Sequence, residues 1–313
     1  MFIREEHVMS QKASSITSLI SAFARAYHVE HDEPLIFNDF AARELITSQE
    51  LADIGKNMTQ GIHFFHPDAD RTFGGQSDRM LKWITQVQLA PITLSRAAYS
   101  EQVILQETAL GLKQVVILGA GMDTFAVRHP ELEDTLEVFE VDLPSTQQLK
   151  RERLHQAKLV IPRNLHFVPM DFTRDKVSVD WTDAAGLDKV KTLFTLLGVS
   201  YYLSKSDISR LMYHIFTEMP AGSSIVLDYA DEHLFQEKGQ YHRVEHMVKM
   251  AEMGGEPMQS CFTYKEMEQL MENAGLLIYE HLTPGDIQHR YFRDRTDHLS
   301  AFETIHFIHA VKK

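Results

Sequence analysis

Three short segments carry residue types suited to holding a nucleoside. Val115-Val116-Ile117-Leu118-Gly119-Ala120-Gly121-Met122-Asp123-Thr124 reads as a buried strand that runs into Gly-x-Gly and then a helix. Glycines permit a tight turn there and let a ligand approach the backbone with no Cβ in the way. The next apolar run closes on Glu140-Val141-Asp142, a carboxylate able to accept hydrogen bonds from both hydroxyls of a ribose. A third run closes on Met170-Asp171-Phe172, which adds an acid and an aromatic face. The set suits an adenosine: diol to Asp142, exocyclic amine to Asp171, ring against Phe172. Each member also has a plain alternative. A lone Gly-x-Gly is often an ordinary turn, and Asp142 and Asp171 could be solvated strand ends. Their order along three successive strand ends is what favours a shared site, since ligands of open α/β sheets bind outside the carboxyl ends of the strands.

Charge decides which adenosine cofactor fits. The dinucleotide fingerprint asks for a third glycine where this chain has Thr124, and Asp123 stands at the expected helix start. A helix N-terminus that already holds a carboxylate repels the pyrophosphate that dinucleotide enzymes place there. S-adenosylmethionine has no phosphate and carries a sulfonium cation, so it is favoured over a nicotinamide cofactor. Its methionine carboxylate still needs a cation. Arg96, in the helix before the strand, is the best candidate, because guanidinium binds carboxylate in a bidentate fork. A surface ion pair is the alternative fate of that arginine.

The elements that position these residues follow from apolar spacing. Residues 1 to about 110 read as a helical cap. Ser15 to Tyr27 and Phe37 to Leu51 repeat apolar residues every three or four positions, with Pro34 between them. The Gly-, His- and Asp-rich stretch from Gly55 to Gly75 reads as a loop or lid, and Ile92 to Leu112 resumes a helical period. From 111 to 313, short apolar runs alternate with helical segments (Val115–Leu118, Leu136–Val141, Leu165–Val168, Thr192–Leu197, Ile225–Leu227, Leu276–Tyr279, Phe302–Val311). Ser204 with Asp207, and Thr263 with Glu266, mark helix starts. This alternation predicts an α/β, doubly wound, mostly parallel sheet, its last two runs pairing as a hairpin.

Composition sets the outer bounds. The chain has 313 residues, a net charge of −13, 44% hydrophobic residues and one cysteine, Cys261. A single thiol excludes a disulfide framework and any zinc site built on two thiolates, and it fits a reducing compartment. The first twenty residues lack a signal-peptide core, and no apolar run is long enough to span a membrane. The acidic balance disfavours nucleic acid as a general partner. A cytoplasmic protein is expected, of unknown oligomeric state.

Four ordered motifs together resemble a known family. Ser95-Arg96-Ala97-Ala98-Tyr99-Ser100-Glu101, Val116 to Thr124, Phe139-Glu140-Val141-Asp142-Leu143-Pro144 and Leu197-Gly198-Val199-Ser200-Tyr201-Tyr202-Leu203 are similar to the leucine carboxyl methyltransferase superfamily. The nearest likeness is to its bacterial branch of S-adenosylmethionine-dependent O-methyltransferases, which includes a tetracenomycin polyketide carboxyl methyltransferase. The resemblance runs from about Ala41 to Tyr229. It implies a class I methyltransferase fold, Rossmann-like, with a seven-stranded sheet whose last strand is antiparallel, and an insertion near 231–262. By the same resemblance, Arg96 binds the methionine carboxylate, Gly119 and Gly121 line the methionyl part, Asp142 binds the ribose, and Asp171 and Phe172 contact the adenine. Ala120 and Leu143, beside these, count among the cofactor-binding residues. Where the leucine-specific enzymes have a glutamate, this chain has Leu197, whose contact is at most backbone or apolar. That departure weighs against a protein C-terminus as acceptor.

The resulting expectation is methyl transfer to an oxygen of a small molecule such as a polyketide. A carboxylate, with a reference pKa of about 4, needs no general base, whereas a phenol at about 10 usually does. No arrangement singles out a base, so the catalytic residues are left unassigned and a carboxylate acceptor is favoured over a hydroxyl. Tyr201 and Tyr202 are expected to wall the acceptor pocket, joined by His63 and His66 from the lid, though each has an ordinary packing or surface role as its alternative. Rival readings are a nicotinamide oxidoreductase, a protein C-terminal carboxyl methyltransferase and a non-catalytic binding module. A nucleic-acid amino-methyltransferase fits poorly, because Leu-Gly-Val-Ser stands where an Asn/Asp-Pro-Pro-aromatic tetrad is needed. His242-Arg243-Val244-Glu245-His246 matches a zinc peptidase pattern, but no third ligand presents itself, and a solvated helix with no metal is the better reading.

Overall fold

The computed structural model describes residues 2–171 and 186–313, with side chains from 16 onward. Seven strands form one sheet: β1 (Gln114–Leu118), β2 (Glu137–Asp142), β3 (Leu165–Pro169), β4 (Thr192–Leu196), β5 (Ser224–Ala230), β6 (Leu276–Leu282) and β7 (Ile305–Lys312). Their order is β3-β2-β1-β4-β5-β7-β6, parallel from β3 to β5, with β7 inserted antiparallel to both β5 and β6. That is the class I methyltransferase arrangement the sequence resemblance implies. The order reverses between β1 and β4, so the crevice at their carboxyl ends is the switch point where a ligand is expected.

Strand β1 is buried along its whole length. Val115 and Ile117 face one apolar cluster and Val116 and Leu118 the other, the period-two signature of a sheet covered on both faces. The first cluster takes in Phe23 of α1 (Phe2–His31), so the N-terminal helices share one apolar core with this face of the sheet. The second is closed by α9 (Lys205–Thr217) and α11 (Tyr264–Asn273). Ser204 accepts the Asp207 amide at the start of α9, and Thr263 and Glu266 form a full capping box on α11, as their spacing foretold.

Three expectations are corrected. The stretch from Gly55 to Gly75 is not an open loop: it holds the end of α2 (Ser48–Gln60), α3 (Ile62–Phe65) and α4 (Ala69–Phe73). Ile62, Phe65, Ala69 and Phe73 recur at helical spacing and are all buried, which outweighs the polar composition between them. The helix expected over Phe37–Leu51 is instead a 3-10 turn, Ala42–Leu45, followed by α2, whose start is fixed by a Thr47–Glu50 capping box. The helix after Gly-x-Gly, α7 (Phe125–Arg128), is a single turn. Pro130 stops it, since a residue before proline is steered away from helical geometry. Little macrodipole can develop over one turn, so Asp123 acts there mainly by its own charge.

Two helices complete the frame of the site. α6 (Ala90–Ala109) leads into β1 and presents Arg96, while α8 (Pro144–Gln156) follows β2. Between β5 and α11 the chain passes through α10 (Arg243–Met253). No described helix is long and apolar enough to cross a membrane.

Candidate active site

A cavity of about 400 Å³ opens at the carboxyl ends of β1, β2 and β4, within the range of about 300–1,000 Å³ usual for small-molecule sites. Arg96, Gly119, Ala120, Gly121 and Asp142 all line it. So do Leu143, Asp171, Leu197 and Tyr202. These residues come from five separate stretches of sequence, and folding brings them to one hollow. Phe172 lies outside the described residues.

The turn after β1 is tied to β2 by backbone geometry. Gly119 and Ala120 donate their amides to Val141 O at 2.8 and 3.3 Å. Gly121 N donates to Asp142 Oδ2 at 2.6 Å, and Leu143 N to Asp142 Oδ1 at 2.6 Å. The carboxylate is thereby held in one orientation at the cavity wall. Burial pushes its pKa up, and the two amides pull against that shift. Donors from a ribose diol would stabilise the ionised form further. Gly119 has φ +72, and a Cβ there would fall 2.6 Å from Val199 Cγ2, so only glycine lets β1 and the turn after β4 close on each other.

Arg96 is anchored from the opposite side. Its Nη1 donates to Tyr201 Oη at 3.0 Å and reaches Asp228 Oδ2 at 3.3 Å. Burial opposes the charged form of Arg96, yet Tyr201 and Asp228 outweigh it and raise the pKa. The guanidinium is fixed, charged and at the cavity surface.

Tyr201 therefore does not stand where expected. It is buried beneath Arg96 rather than on the cavity wall, because its hydroxyl is engaged by the guanidinium. His63 and His66 also lie away from the cavity. His63 sits 3.4 Å from Asp70 on the surface, and His66 packs edge-on against Phe73 and Trp83, carried there by the apolar spacing of α3 and α4. In the His242–His246 segment, the buried Arg243 bonds to Glu303 and Ser300, while His246 packs against Phe64 and Phe65. His242 precedes α10 in a left-handed conformation, and its ring stacks on that of His246 at 6.2 Å between centroids.

Sequence reading missed one whole flank of the cavity. Arg25 of α1 pairs with Asp39 at 2.7 Å and donates to Met122 O, and Arg128 pairs with Asp39 at 3.4 Å and with Glu101. Glu256, on the loop after α10, accepts from Thr17 of α1 at 3.0 Å across the mouth. All five charged residues line the cavity. No short motif joins them, since each pair is brought together only by tertiary packing.

Comparison with known proteins places this geometry in a family. The family model described as leucine carboxyl methyltransferase matches residues 18–216. YktD of Bacillus subtilis, which carries the provisional name S-adenosyl-L-methionine-dependent methyltransferase, is 57% identical over 305 residues, covering 97% of this chain and 100% of that one. A Mycobacterium bovis protein with the same provisional name is 31% identical over 163 residues, 51% of this chain and 50% of that one. Among solved structures, a DUF574 family protein from Streptomyces avermitilis aligns with 12% identity and a TM-score of 0.49 over 94% of this chain and 97% of that one. The chain belongs to the leucine carboxyl methyltransferase family and is an S-adenosyl-L-methionine-dependent methyltransferase.

Proposed function

We propose that the protein transfers the methyl group to a carboxylate oxygen of a small-molecule acceptor in the cytoplasm. The carrying observation is that Arg96, the Gly-x-Gly turn and Asp142 meet in one hollow of suitable size. Asp142 takes the ribose hydroxyls and Arg96 the methionine carboxylate. Gly119, Ala120 and Gly121 offer close backbone approach, Asp171 with Phe172 takes the adenine, and Leu143 and Leu197 add apolar contact. Tyr202 stands on the acceptor side. Residues 1–110 then act as a cap over a 111–313 core, with the 231–262 insertion at the mouth.

Bound S-adenosylmethionine supplies a methyl on a positively charged sulfur, open to in-line attack by an oxygen. The chain's task is alignment and exclusion of water, and holding two reactants in attack geometry is worth roughly 7–11 kcal/mol. The described lining residues include no histidine, lysine or cysteine, and of their carboxylates Asp39 and Glu101 are paired with arginines, Asp142 is held by two backbone amides and Glu256 accepts from Thr17. Burial raises the Tyr202 pKa to about 12, so its phenol stays protonated and cannot take a proton at neutral pH. An acceptor that is already ionised fits this lining, and a carboxylate is one.

The test is the chemistry of the product. The protein is incubated with a metabolite extract and methyl-labelled donor, and the labelled product is treated with mild alkali. Volatile labelled methanol marks an ester and supports a carboxylate acceptor. Label that survives alkali marks an ether or amine and refutes it, while label on polypeptide turns the assignment to a protein C-terminus.

A further inference from the structure

We propose that Asp228, together with Tyr201, is the positioning residue for Arg96: it fixes one edge of the guanidinium so that the other edge faces the cofactor's carboxylate. This rests on the assignment of Arg96 to that carboxylate. Asp228 lies in β5, and its side chain is 0% exposed. A carboxylate so deeply buried is costly unless it is paired and hydrogen-bonded. Three groups satisfy it. Gly198 N donates to Oδ1 at 2.6 Å, while Arg96 Nη1 and Tyr201 Oη approach Oδ2 at 3.3 and 3.5 Å.

The division of labour within the guanidinium follows from its partners. Nη1 is spent on Tyr201 and Asp228, whereas Nε and Nη2 have no acceptor among the described residues. Arg96 itself lines the cavity, so those donors are the ones left for a ligand. Gly198 completes the seat: the guanidinium packs against its backbone so closely that a Cβ there would fall 2.4 to 2.7 Å from Nη1, Nη2 and Cζ. A long arginine side chain otherwise loses much rotamer freedom when it binds. Clamping it beforehand means that cost is met on folding, and binding gains accordingly.

The experiment compares two probes by calorimetry. S-adenosylhomocysteine carries the amino-acid carboxylate, and 5′-methylthioadenosine lacks it. Asp228→Asn keeps an acceptor for Gly198 N but turns an amide donor, or no charge, toward Arg96. The expected result is a loss of about tenfold in affinity for S-adenosylhomocysteine with affinity for methylthioadenosine unchanged, the size set by one charged hydrogen bond. Equal weakening of both probes marks a general structural role and overturns the proposal. So does unchanged S-adenosylhomocysteine binding in Asp228→Asn when Arg96→Met has lost it, an outcome that leaves the role of Arg96 standing. Unchanged binding in Arg96→Met itself instead removes the assignment beneath the proposal. Should Asp228→Asn fail to fold, Tyr201→Phe carries the test: a smaller loss confined to S-adenosylhomocysteine is expected, and no loss overturns the proposal.

Discussion

The Gly198 backbone and the Arg96 guanidinium are in direct contact, with φ +71 at the glycine and no room for a Cβ. Gly198→Ala therefore meets two obstacles, a left-handed conformation that L side chains avoid and a steric clash with the guanidinium. The far end of an arginine side chain is flexible, so the guanidinium moves before the backbone does. Affinity for S-adenosylhomocysteine should fall by about tenfold or more, with stability lowered by about 1–2 kcal/mol. Calorimetry and urea unfolding measure the two effects. Intact affinity would show that Arg96 need not occupy its present seat.

Two residues before Asp142 on β2, Glu140 Oε2 lies 2.5 Å from Lys150 Nζ, with side chains only 2% and 1% exposed. Burial raises the Glu140 pKa, and Lys150 opposes that rise. Lys150→Met keeps the volume and leaves the carboxyl buried without its partner, which should cost about 3–5 kcal/mol. The double variant Glu140→Leu with Lys150→Met should recover most of that loss, because an apolar pair of similar volume avoids the desolvation of both ions. Chemical denaturation of the two variants decides it. A single variant as stable as the parent would mean that the pair is not strongly coupled.

Acid stability should depend on His281. Its Nε2 lies 3.1 Å from Tyr229 Oη and 3.0 Å from His306 Nδ1, its ring packs against Tyr264, and His306 in turn reaches Asp231. Burial first, then the charge of His306, lowers the His281 pKa from 6.5 to about 4. Between those values the unfolded chain binds the proton more readily than the folded one. Stability is then present above about pH 6.5 and is lost as pH falls toward about 4. The urea midpoint of the parent should drop on going from about pH 7 to about pH 5, and His281→Gln should show a smaller drop. Equal drops in both proteins would place the acid sensitivity elsewhere.

Much of this molecule can be read from its sequence because the signals are local. All seven strands sit at the expected apolar runs, within a few residues at their ends, and the capping pairs at Ser204 and Thr263 act as their spacing implies. Arg96, the glycines and Asp142 were found because motifs mark them. Asp228 was not, since it lies 132 residues from Arg96 and inside an ordinary apolar strand. The Arg25–Asp39–Arg128 flank is hidden for the same reason. His63 and His66 show the opposite error, in which polar composition drew attention while Ile62, Phe65, Ala69 and Phe73 were fixing a helical path away from the cavity.

The most direct measurement is a calorimetric titration of S-adenosylhomocysteine into the parent protein and into Asp142→Ala. Saturable binding at one site is predicted for the parent, with affinity lower by about tenfold or more once the carboxylate proposed to take the ribose hydroxyls is gone. Absence of heat in the parent, or the same affinity in both proteins, would contradict the account.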